Sequence, residues 1–222
     1  MVDSLVGKQI AILGGTGPQG TGLARRFAQA GLAVIIGGRS AERSARVAEE
    51  LSGQIGLTVT GTDNASAASQ CDLALVAVPW EGHAALLADL KPLLAGKVVV
   101  DCVNPLGFDK QGAYALAVEE GSATEQAASI LGESTVVGAF HHISAALLVD
   151  PAVQSIDCDV LVLGDERWAT DLVQELAQTI PGVRGLYGGR RRNAGQVEAL
   201  TANLVSINRR YKAHAGLQIT DI

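Results

Sequence analysis

The apolar residues of the first half of the chain form short runs, and stretches of mixed polarity separate these runs. Five of the runs predict β-strands: Gln9–Leu13, Ala33–Ile36, Leu57–Thr60, Leu73–Val78 and Val98–Cys102. Three segments between them predict helices: Thr21–Ala30, Ala41–Leu51 behind an N-cap at Ser40, and Gly82–Leu90. Short apolar strands that alternate with helices are typical of a parallel sheet with helices on both faces. The pattern therefore predicts an α/β fold with a doubly wound parallel sheet.

The second half of the chain has a less regular pattern. It contains two helix-like segments, Ala123–Leu131 and Trp168–Thr179, and Asn104–Gly112 is rich in loop-forming residues. Three runs predict further strands: Thr135–Phe140, Val160–Leu163 and Gly182–Tyr187. We expect these elements to form a smaller C-terminal α/β extension.

The C-terminal segment has the clearest helical period. Val197, Leu200, Leu204, Ile207 and Tyr211 follow spacings of 3, 4, 3 and 4 residues, which predicts a long helix with one narrow apolar stripe. This stripe packs either on the rest of the same chain or, in part, on a second copy of it. The second interpretation predicts a homodimer.

Composition and charge exclude several classes of protein. Of the 222 residues, 48% are hydrophobic and 18% are charged, so the chain is too apolar to be disordered. The formal net charge of −6 argues against a nucleic-acid partner. No apolar run approaches the roughly 20 residues of a membrane span, and the first residues lack the features of a signal peptide. We therefore expect a cytoplasmic protein with neither nucleic-acid nor membrane partners.

The cysteines do not indicate a metal centre or a disulfide framework. Cys71, Cys102 and Cys158 are widely spaced, and the chain has no C-x-x-C pair. We expect no bound metal.

A glycine-rich motif follows the first predicted strand and opens the first predicted helix. Its sequence, Gly15-Thr16-Gly17-Pro18-Gln19-Gly20, has the form G-x-G-x-x-G, which in this context is typical of a Rossmann-type dinucleotide-binding unit. Gly15 is expected to permit the tight turn, Gly17 the approach of a pyrophosphate, and Gly20 the packing of helix on strand. The backbone from Thr16 to Gln19 then binds the pyrophosphate, which the helix dipole also favours.

The residues after the second predicted strand indicate which dinucleotide binds. An NAD site usually has Asp or Glu at this place, but the sequence here is Gly37-Gly38-Arg39-Ser40. Arg39 and Arg43 are four residues apart, so we expect both to face one pocket at the start of the helix. Two guanidinium groups and the Ser40 hydroxyl fit a dianionic 2′-phosphate, which predicts NADP rather than NAD. The alternative is that both arginines are solvated surface charges.

Motifs of several enzyme classes are missing from the sequence. The chain has no Y-x-x-x-K of the short-chain dehydrogenases, no H-E-x-x-H and no G-x-S-x-G. It also lacks the long all-helical second half of the hydroxyacid dehydrogenases. Some hydride acceptors are cofactors whose own ring system provides the chemistry, so that they need little acid–base catalysis from the protein. The missing motifs favour an acceptor of this kind.

The sequence resembles the family of F420-dependent NADP oxidoreductases over nearly its whole length. The segments that carry this resemblance are Ala11–Gly17 with Gly20 and Gly22, Gly37-Gly38-Arg39 with Arg43, Val78-Pro79-Trp80-Glu81, Asn104-Pro105-Leu106, Ala139-Phe140-His141 with Ile143 and Ala145, and Val197-Glu198-Ala199-Leu200-Thr201. The first segment is shared with many Rossmann proteins. The Pro-Trp pair, the histidine loop and the last helix are more specific in combination.

The resemblance implies a small, mostly dimeric cytoplasmic enzyme that transfers a hydride between C4 of NADP(H) and C5 of the deazaflavin coenzyme F420. It implies a dinucleotide-binding Rossmann domain over residues 1–140, and a smaller part over residues 141–222 that completes the deazaflavin site and forms the dimer contact. By position, the resemblance implies that Gly38, Arg39 and Arg43 bind the 2′-phosphate. It also implies that Trp80, Leu106 and Ala145 border the nicotinamide, and that Asn104, His141 and Leu204 border the deazaflavin.

His141 is the candidate catalytic residue. Reduction changes the charge of the deazaflavin ring, and a nearby histidine can stabilise that charge or relay a proton because its pKa lies close to neutrality. The alternative is that His141 and His142 are structural loop histidines.

The densest basic run of the chain is Arg190-Arg191-Arg192. It is either a solvated loop or a site that attracts the phosphate and the polyglutamate tail of F420.

Two other functions are compatible with the same NADP half. One is NADPH-dependent reduction of a different acceptor, such as a flavin, a ferric chelate or an imine. The other is NADP(H) sensing without catalysis.

Overall fold

Ten strands and eight helices are present in residues 4–222, the part of the chain that this computed structural model describes. The strands are β1 (Gln9–Leu13), β2 (Ala33–Gly38), β3 (Thr60–Asp63), β4 (Leu73–Val76), β5 (Val98–Asp101), β6 (Leu106–Asp109), β7 (Gly112–Ala115), β8 (Thr135–Gly138), β9 (Cys158–Leu163) and β10 (Val183–Gly189). The helices are α1 (Pro18–Gln29), α2 (Ala41–Ile55), α3 (Asn64–Gln70), α4 (His83–Leu94), α5 (Ala123–Leu131), α6 (Ala145–Val149), α7 (Arg167–Gln178) and α8 (Ala194–Tyr211).

Eight of the strands form one sheet in the spatial order β10-β9-β8-β5-β4-β1-β2-β3, while β6 and β7 form a separate antiparallel hairpin. From β1 the chain moves outward through β2 to β3. It then returns to β4, on the other side of β1, and moves outward again through β5 to β8. All of these pairings are parallel, so the predicted doubly wound Rossmann-type sheet is confirmed.

The central strands bury both of their faces. In β1, Ile10 and Ile12 pack into the core on one side of the sheet, and Ala11 and Leu13 pack into the core on the other side. Phe27 of α1 is fully buried in the first of these cores. Because both faces are covered, the polar groups of the parallel strands emerge at the strand ends, and the carboxyl ends share one edge of the sheet.

Several boundaries differ from the predicted ones. Helix α1 begins at Pro18 rather than Thr21, since proline suits the first helical position. Strand β3 begins at Thr60 rather than Leu57. The reason is that α2 continues to Ile55 and ends at Gly56, whose φ of 68° favours glycine.

The sequence pattern does not reveal three short elements. Helices α3 and α6 have 7 and 5 residues, which is too short for a helical period to be visible. The β6–β7 hairpin begins in the Asn104–Gly112 segment that was expected to be a loop and continues to Ala115, and its strands have only 4 residues each.

The last elements of the chain extend the same sheet. Strand β9 pairs antiparallel with β8 through Leu163 and Gly138, and β10 pairs parallel with β9. The core on one side of the sheet contains residues from both parts of the chain, such as Ile12 and Val160. The predicted long C-terminal helix is confirmed as α8. The division of the chain at residue 140 stays a prediction, and the sheet is continuous across it.

A buried arginine fixes the segment that contains α6. The Arg26 guanidinium donates hydrogen bonds to the carbonyl groups of Leu147, Leu148, Asp150 and Val153, at 2.7 to 3.2 Å. The carbonyls in the last turn of a helix have no partner within the helix, so these bonds supply partners at the end of α6. Arg26 therefore holds α6 against α1.

Within residues 4–222, no helix combines the length and the apolar character that crossing a membrane requires.

Candidate functional site

The glycine-rich motif forms the turn from β1 into α1. The N-cap of α1 is Gly17, and neither a side-chain cap nor an acidic residue lies in the first turn. The Thr21 amide donates to the Gly17 carbonyl at 2.9 Å. The amides before Thr21 have no carbonyl partner within the helix, because the first amides of a helix never do. Pro18 has no N–H, so Thr16, Gly17 and Gln19 supply the backbone donors in this segment. The positive end of the helix dipole is therefore open to an anion.

The glycines of this turn differ in what they permit. The left-handed conformation lies at Gly14, with φ 72°, one residue before the motif, while a Cβ on Gly15 would lie 2.6 Å from the Ile12 carbonyl oxygen. A Cβ on Gly20 would collide with the Gly15 backbone, in agreement with its predicted packing role. A Cβ on Gly17 would meet nothing within 4 Å, so the space beside Gly17 is open to a ligand.

The predicted 2′-phosphate residues lie at the end of β2. Ser40 is the N-cap of α2, as predicted, and its Oγ accepts a hydrogen bond from the Arg43 amide at 3.2 Å. Arg39 precedes that N-cap, so the spacing argument for a shared helical face does not apply to it. Arg39 and Arg43 are both exposed, and neither forms an ion pair within the described part of the chain. A Cβ on Gly38 would collide with Ser44 Oγ, so a side chain there would not fit.

A cleft of about 460 Å³ lies at the carboxyl edge of the sheet, between the glycine-rich turn and the segments that follow β4 and β5. Seven of the predicted site residues line it: Gly17, Pro18, Gln19, Trp80, Asn104, Leu106 and His141. The other seven predicted residues lie outside its lining: Thr16, Gly38, Arg39, Ser40, Arg43, Ala145 and Leu204. Of these, Ala145 begins α6, and Leu204 is buried on α8.

His141 is a buried histidine without a hydrogen-bond partner for its ring. Both of its ring nitrogens lack a partner among residues 4–222, and its Nε2 lies 3.8 Å from Glu198 Oε1, too far for a hydrogen bond. Burial lowers the pKa of His141 to about 4, although the charge of Asp101 acts in the opposite direction. The imidazole is therefore neutral at pH 7, with one donor and one acceptor to offer.

Hydrogen bonds to its main chain hold His141 in place. Asn104 Nδ2 and Thr201 Oγ1 both donate to the His141 carbonyl, at 2.7 and 3.2 Å. Just before it, Phe140 has a φ of 62° and accepts a hydrogen bond from the Gln19 side chain at 3.1 Å. A non-glycine residue in this conformation persists only where its surroundings enforce it. The histidine loop is thus tied to α1, to α8 and to the segment after β5.

Glu198 connects α8 to the start of α5. Its carboxylate accepts hydrogen bonds from the Ala123 amide at 2.8 Å, the Thr124 amide at 3.1 Å and the Thr124 hydroxyl at 2.8 Å. Burial raises the pKa of Glu198, while these three hydrogen bonds act in the opposite direction. The carboxylate lies at the positive end of a helix dipole, where negative charge is stabilised.

His83 and Asp101 form a buried pair next to Trp80. His83 Nε2 lies 2.6 Å from Asp101 Oδ2, and His83 Nδ1 lies 3.0 Å from Gln126 Oε1. Burial lowers the pKa of His83, but the hydrogen bond and charge of Asp101 and the hydrogen bond of Gln126 together raise it above its ordinary value. The Trp80 ring lies on the His83 ring, with centroids 5.4 Å apart. The pair thus supports one wall of the cleft.

Several of the remaining basic and histidine candidates have partners of their own, although His142 Nδ1 is buried without one among residues 4–222. His142 Nε2 accepts a hydrogen bond from the Leu161 amide at 3.4 Å, and burial lowers the pKa of His142 to about 4. Arg190 lies 3.8 Å from Asp165, while Arg191 lies 3.2 Å from Glu125 and 3.5 Å from Asp165. Two arginines of the basic run are therefore already paired with carboxylates.

Sequence reasoning missed several residues of the cleft and its supports. Val78, Pro79, Cys102, Val103 and Phe108 line the cleft without having been predicted, and the roles of His83, Asp101 and Glu198 were also missed. Asp101 offered one signal, because it ends a run of valines in a buried strand. The partners of Glu198 are 74 and 75 positions away along the chain, and no local pattern reveals them.

Residues 9–105 match the protein family described as NADP oxidoreductase, coenzyme F420-dependent. The chain is 39% identical over 222 residues to the F420-dependent NADP reductase of Methanothermobacter marburgensis, covering 96% of this chain and 99% of that protein. It is 36% identical to the F420-dependent NADP reductase of Methanocaldococcus jannaschii, with coverage of 96% and 99%.

A crystal structure from an Arthrobacter species, of a candidate F420-dependent NADP reductase, shares the fold with a TM-score of 0.79. The sequence identity is 27%, and the match covers 97% of this chain and 100% of that one. From the identity and coverage of its relatives, the chain belongs to the family of F420-dependent NADP oxidoreductases.

Proposed function

We propose that the protein transfers a hydride between C4 of NADP(H) and C5 of the deazaflavin F420, with both molecules bound in the cleft. The names of the relatives support this reaction, and so does the shape of the site. The observation that carries the proposal is the arrangement of polar groups in one cleft. Backbone donors of the glycine-rich turn lie at one side, and His141, whose buried ring nitrogens have no partner in residues 4–222, lies at another.

The residues present fit an NADP molecule. The turn at Gly17 offers open space, free amides and a helix dipole to a pyrophosphate. Arg39 and Arg43 are exposed and without ion pairs in the described chain, as a site for a 2′-phosphate requires. We propose that Thr16 to Gln19 bind the pyrophosphate, and that Gly38, Arg39, Ser40 and Arg43 bind the 2′-phosphate.

The residues present also fit the polar edge of a deazaflavin. Both ring nitrogens of His141 and the Asn104 Oδ1 atom are buried without hydrogen-bond partners in residues 4–222. Unpartnered buried polar atoms cost free energy, which a ligand with N–H and C=O groups recovers. We propose that Asn104 and His141 hydrogen-bond the deazaflavin, with Leu204 behind them, and that Trp80, Leu106 and Ala145 border the nicotinamide.

The protein contributes to the reaction mainly by orienting the two ring systems and by placing a neutral hydrogen-bond donor beside them. When bound, NADPH supplies the hydride and the deazaflavin accepts it. Trp80, braced by His83, and Leu106 form apolar walls that exclude water and orient flat rings. His141 is neutral, so it donates a hydrogen bond from one nitrogen and stabilises negative charge that develops beside it. Asn104, through the His141 carbonyl, keeps that ring in place.

The proposed reaction is tested by an anaerobic absorbance assay with purified protein, NADPH and oxidised F420. We expect rapid loss of the deazaflavin absorbance with NADPH, and little change when NADH replaces NADPH or FMN replaces F420. Faster reduction of FMN or of a ferric chelate would assign another acceptor. Tight NADPH binding with no turnover on any acceptor would assign a sensor.

A second prediction concerns the choice of NADP over NAD. The double variant Arg39→Ala/Arg43→Ala should lower kcat/KM for NADPH by about 10- to 100-fold, because it removes two charged hydrogen-bond donors from the 2′-phosphate. The value for NADH should stay within about two-fold. Arg167→Ala, which removes an exposed arginine from α7, serves as the control and should change neither value. Equal losses with both dinucleotides would contradict the assignment.

A third prediction concerns His141. His141→Ala should slow single-turnover reduction of F420 by about 100-fold, while the Kd for NADPH stays within about two-fold. His141→Gln keeps a neutral donor and should recover much of the rate, because burial already keeps the histidine neutral. Thermal melting of both variants checks that the fold is retained. An unchanged rate and F420 affinity in His141→Ala would show that the histidine is structural.

We also propose a homodimer and a cytoplasmic location. The end of the α8 stripe leaves Ile207 39% and Tyr211 73% exposed, which suits a contact with a second copy. The three cysteines are buried and unpaired, as is usual in reducing compartments. Light scattering should give the mass of two chains, and cell fractionation should recover the protein outside the membrane pellet. The mass of one chain, or recovery in that pellet, would contradict the respective proposal.

A further inference from the structure

A second cleft, of about 630 Å³, lies between the β6–β7 hairpin and the C-terminal half of α8. Its lining includes Phe108 and Asp109 from the hairpin, and Ser206, Arg209 and Arg210 from the helix. Phe108 lines this cleft and also the cleft described above. We call the second one the hairpin cleft.

Phe108 is the point at which the two clefts meet. Leu106 and Phe108 are two residues apart on β6, so their side chains leave the same face of the strand about 7 Å apart. Leu106 lines only the first cleft, whereas Phe108 lines both and is 69% exposed. A molecule that is bound in the first cleft and reaches Phe108 can therefore continue past it into the hairpin cleft.

The charge in the hairpin cleft is positive. Arg209 and Arg210 are exposed and form no ion pair with any residue between 4 and 222. The Asp109 carboxylate accepts hydrogen bonds from the Gln111 amide at 2.7 Å and the Gly112 amide at 3.1 Å, so it is held in the hairpin turn. In a chain of net charge −6, two free guanidinium groups beside one cleft favour an anionic ligand.

Stabilisation of α8 explains why two arginines lie in its last turn, but it does not explain why they line a cleft. Arginines in the last turn of a helix stabilise its negative end, and α8 carries Arg209 and Arg210 there. That effect requires no cleft and no connection to the first site. Arg190 and Arg191, by contrast, are already paired with Asp165 and Glu125.

We propose that the hairpin cleft binds the phosphate and the glutamyl carboxylates of the deazaflavin tail, with Arg209 and Arg210 as the anion-binding groups. This inference rests on the proposed function and extends it. It assigns the tail to the end of α8 instead of to Arg190, Arg191 and Arg192.

The proposed dimer contact leaves the Arg209 side of the hairpin cleft accessible, while Arg210 lies about 60° around the helix from Ile207. At 3.6 residues per turn, Arg209 lies about 200° around the helix from Ile207 and also from Tyr211. The exposed apolar end of the stripe and Arg209 therefore lie on opposite faces of α8.

The test compares two acceptors in the NADPH-dependent assay. One is F420 with its phosphate and glutamates. The other is a 5-deazariboflavin with the same ring but without phosphate or glutamate. The variant Arg209→Ala/Arg210→Ala should raise KM for F420 by about five- to ten-fold at low salt, and by less at high salt. KM for the tailless acceptor and for NADPH should not change. The control Arg192→Ala removes an exposed arginine that lines neither cleft, and should change none of these values.

Each outcome decides the proposal. Equal rises in KM for both acceptors would mean that the arginines support the fold of α8, and no rise for either would mean that the tail binds elsewhere. Both results overturn the tail site. If the unmodified protein reduces neither acceptor with NADPH, the proposed function itself fails and the tail site fails with it. If it reduces both acceptors with the same KM, the function stands and the tail site is wrong.

Discussion

The site depends on the burial of both faces of a parallel sheet. Helices cover the two sides of β1, β4 and β5, so a polar group that must meet a ligand emerges at the carboxyl ends of these strands. The chain reverses its direction of growth between β1 and β4, and the crevice at such a reversal is open. The glycine-rich turn after β1, Trp80 after β4 and Asn104 after β5 therefore line one cleft.

At this edge the buried polar groups are of two kinds. His83 and Asp101 are paired at 2.6 Å, and Glu198 accepts three hydrogen bonds, so these groups are satisfied by the protein itself. The ring of His141 and the Asn104 Oδ1 atom have no such partners in residues 4–222. The first kind stiffens the walls of the cleft, and we propose that the second kind binds a ligand, because an unmade buried hydrogen bond is costly.

Helix α8 joins the site to the rest of the molecule. Near its start, Glu198 reaches the first turn of α5, and Thr201 reaches the His141 carbonyl. Farther along, α8 packs against β7, and its last turn places Arg209 and Arg210 beside the hairpin. A helix that orders the histidine loop at one end and carries free positive charge at the other can align both parts of a long acceptor. The same helix thus links the proposed ring-binding and tail-binding residues.

The sequence by itself determined the alternating elements, the glycine-rich turn and the absence of an acidic residue after β2, because burial periodicity, turn geometry and capping depend on near neighbours along the chain. Through family resemblance it also predicted His141 and Asn104 as site residues, and both line the cleft. Only the tertiary structure decided that Asn104 and Thr201 hold the His141 carbonyl and that Glu198 binds the start of α5. It also decided that Arg191 is paired, while Arg209 forms no ion pair within residues 4–222. These contacts join residues that are tens of positions apart in the chain, and the order of the strands in the sheet brings them together. No local pattern records that order.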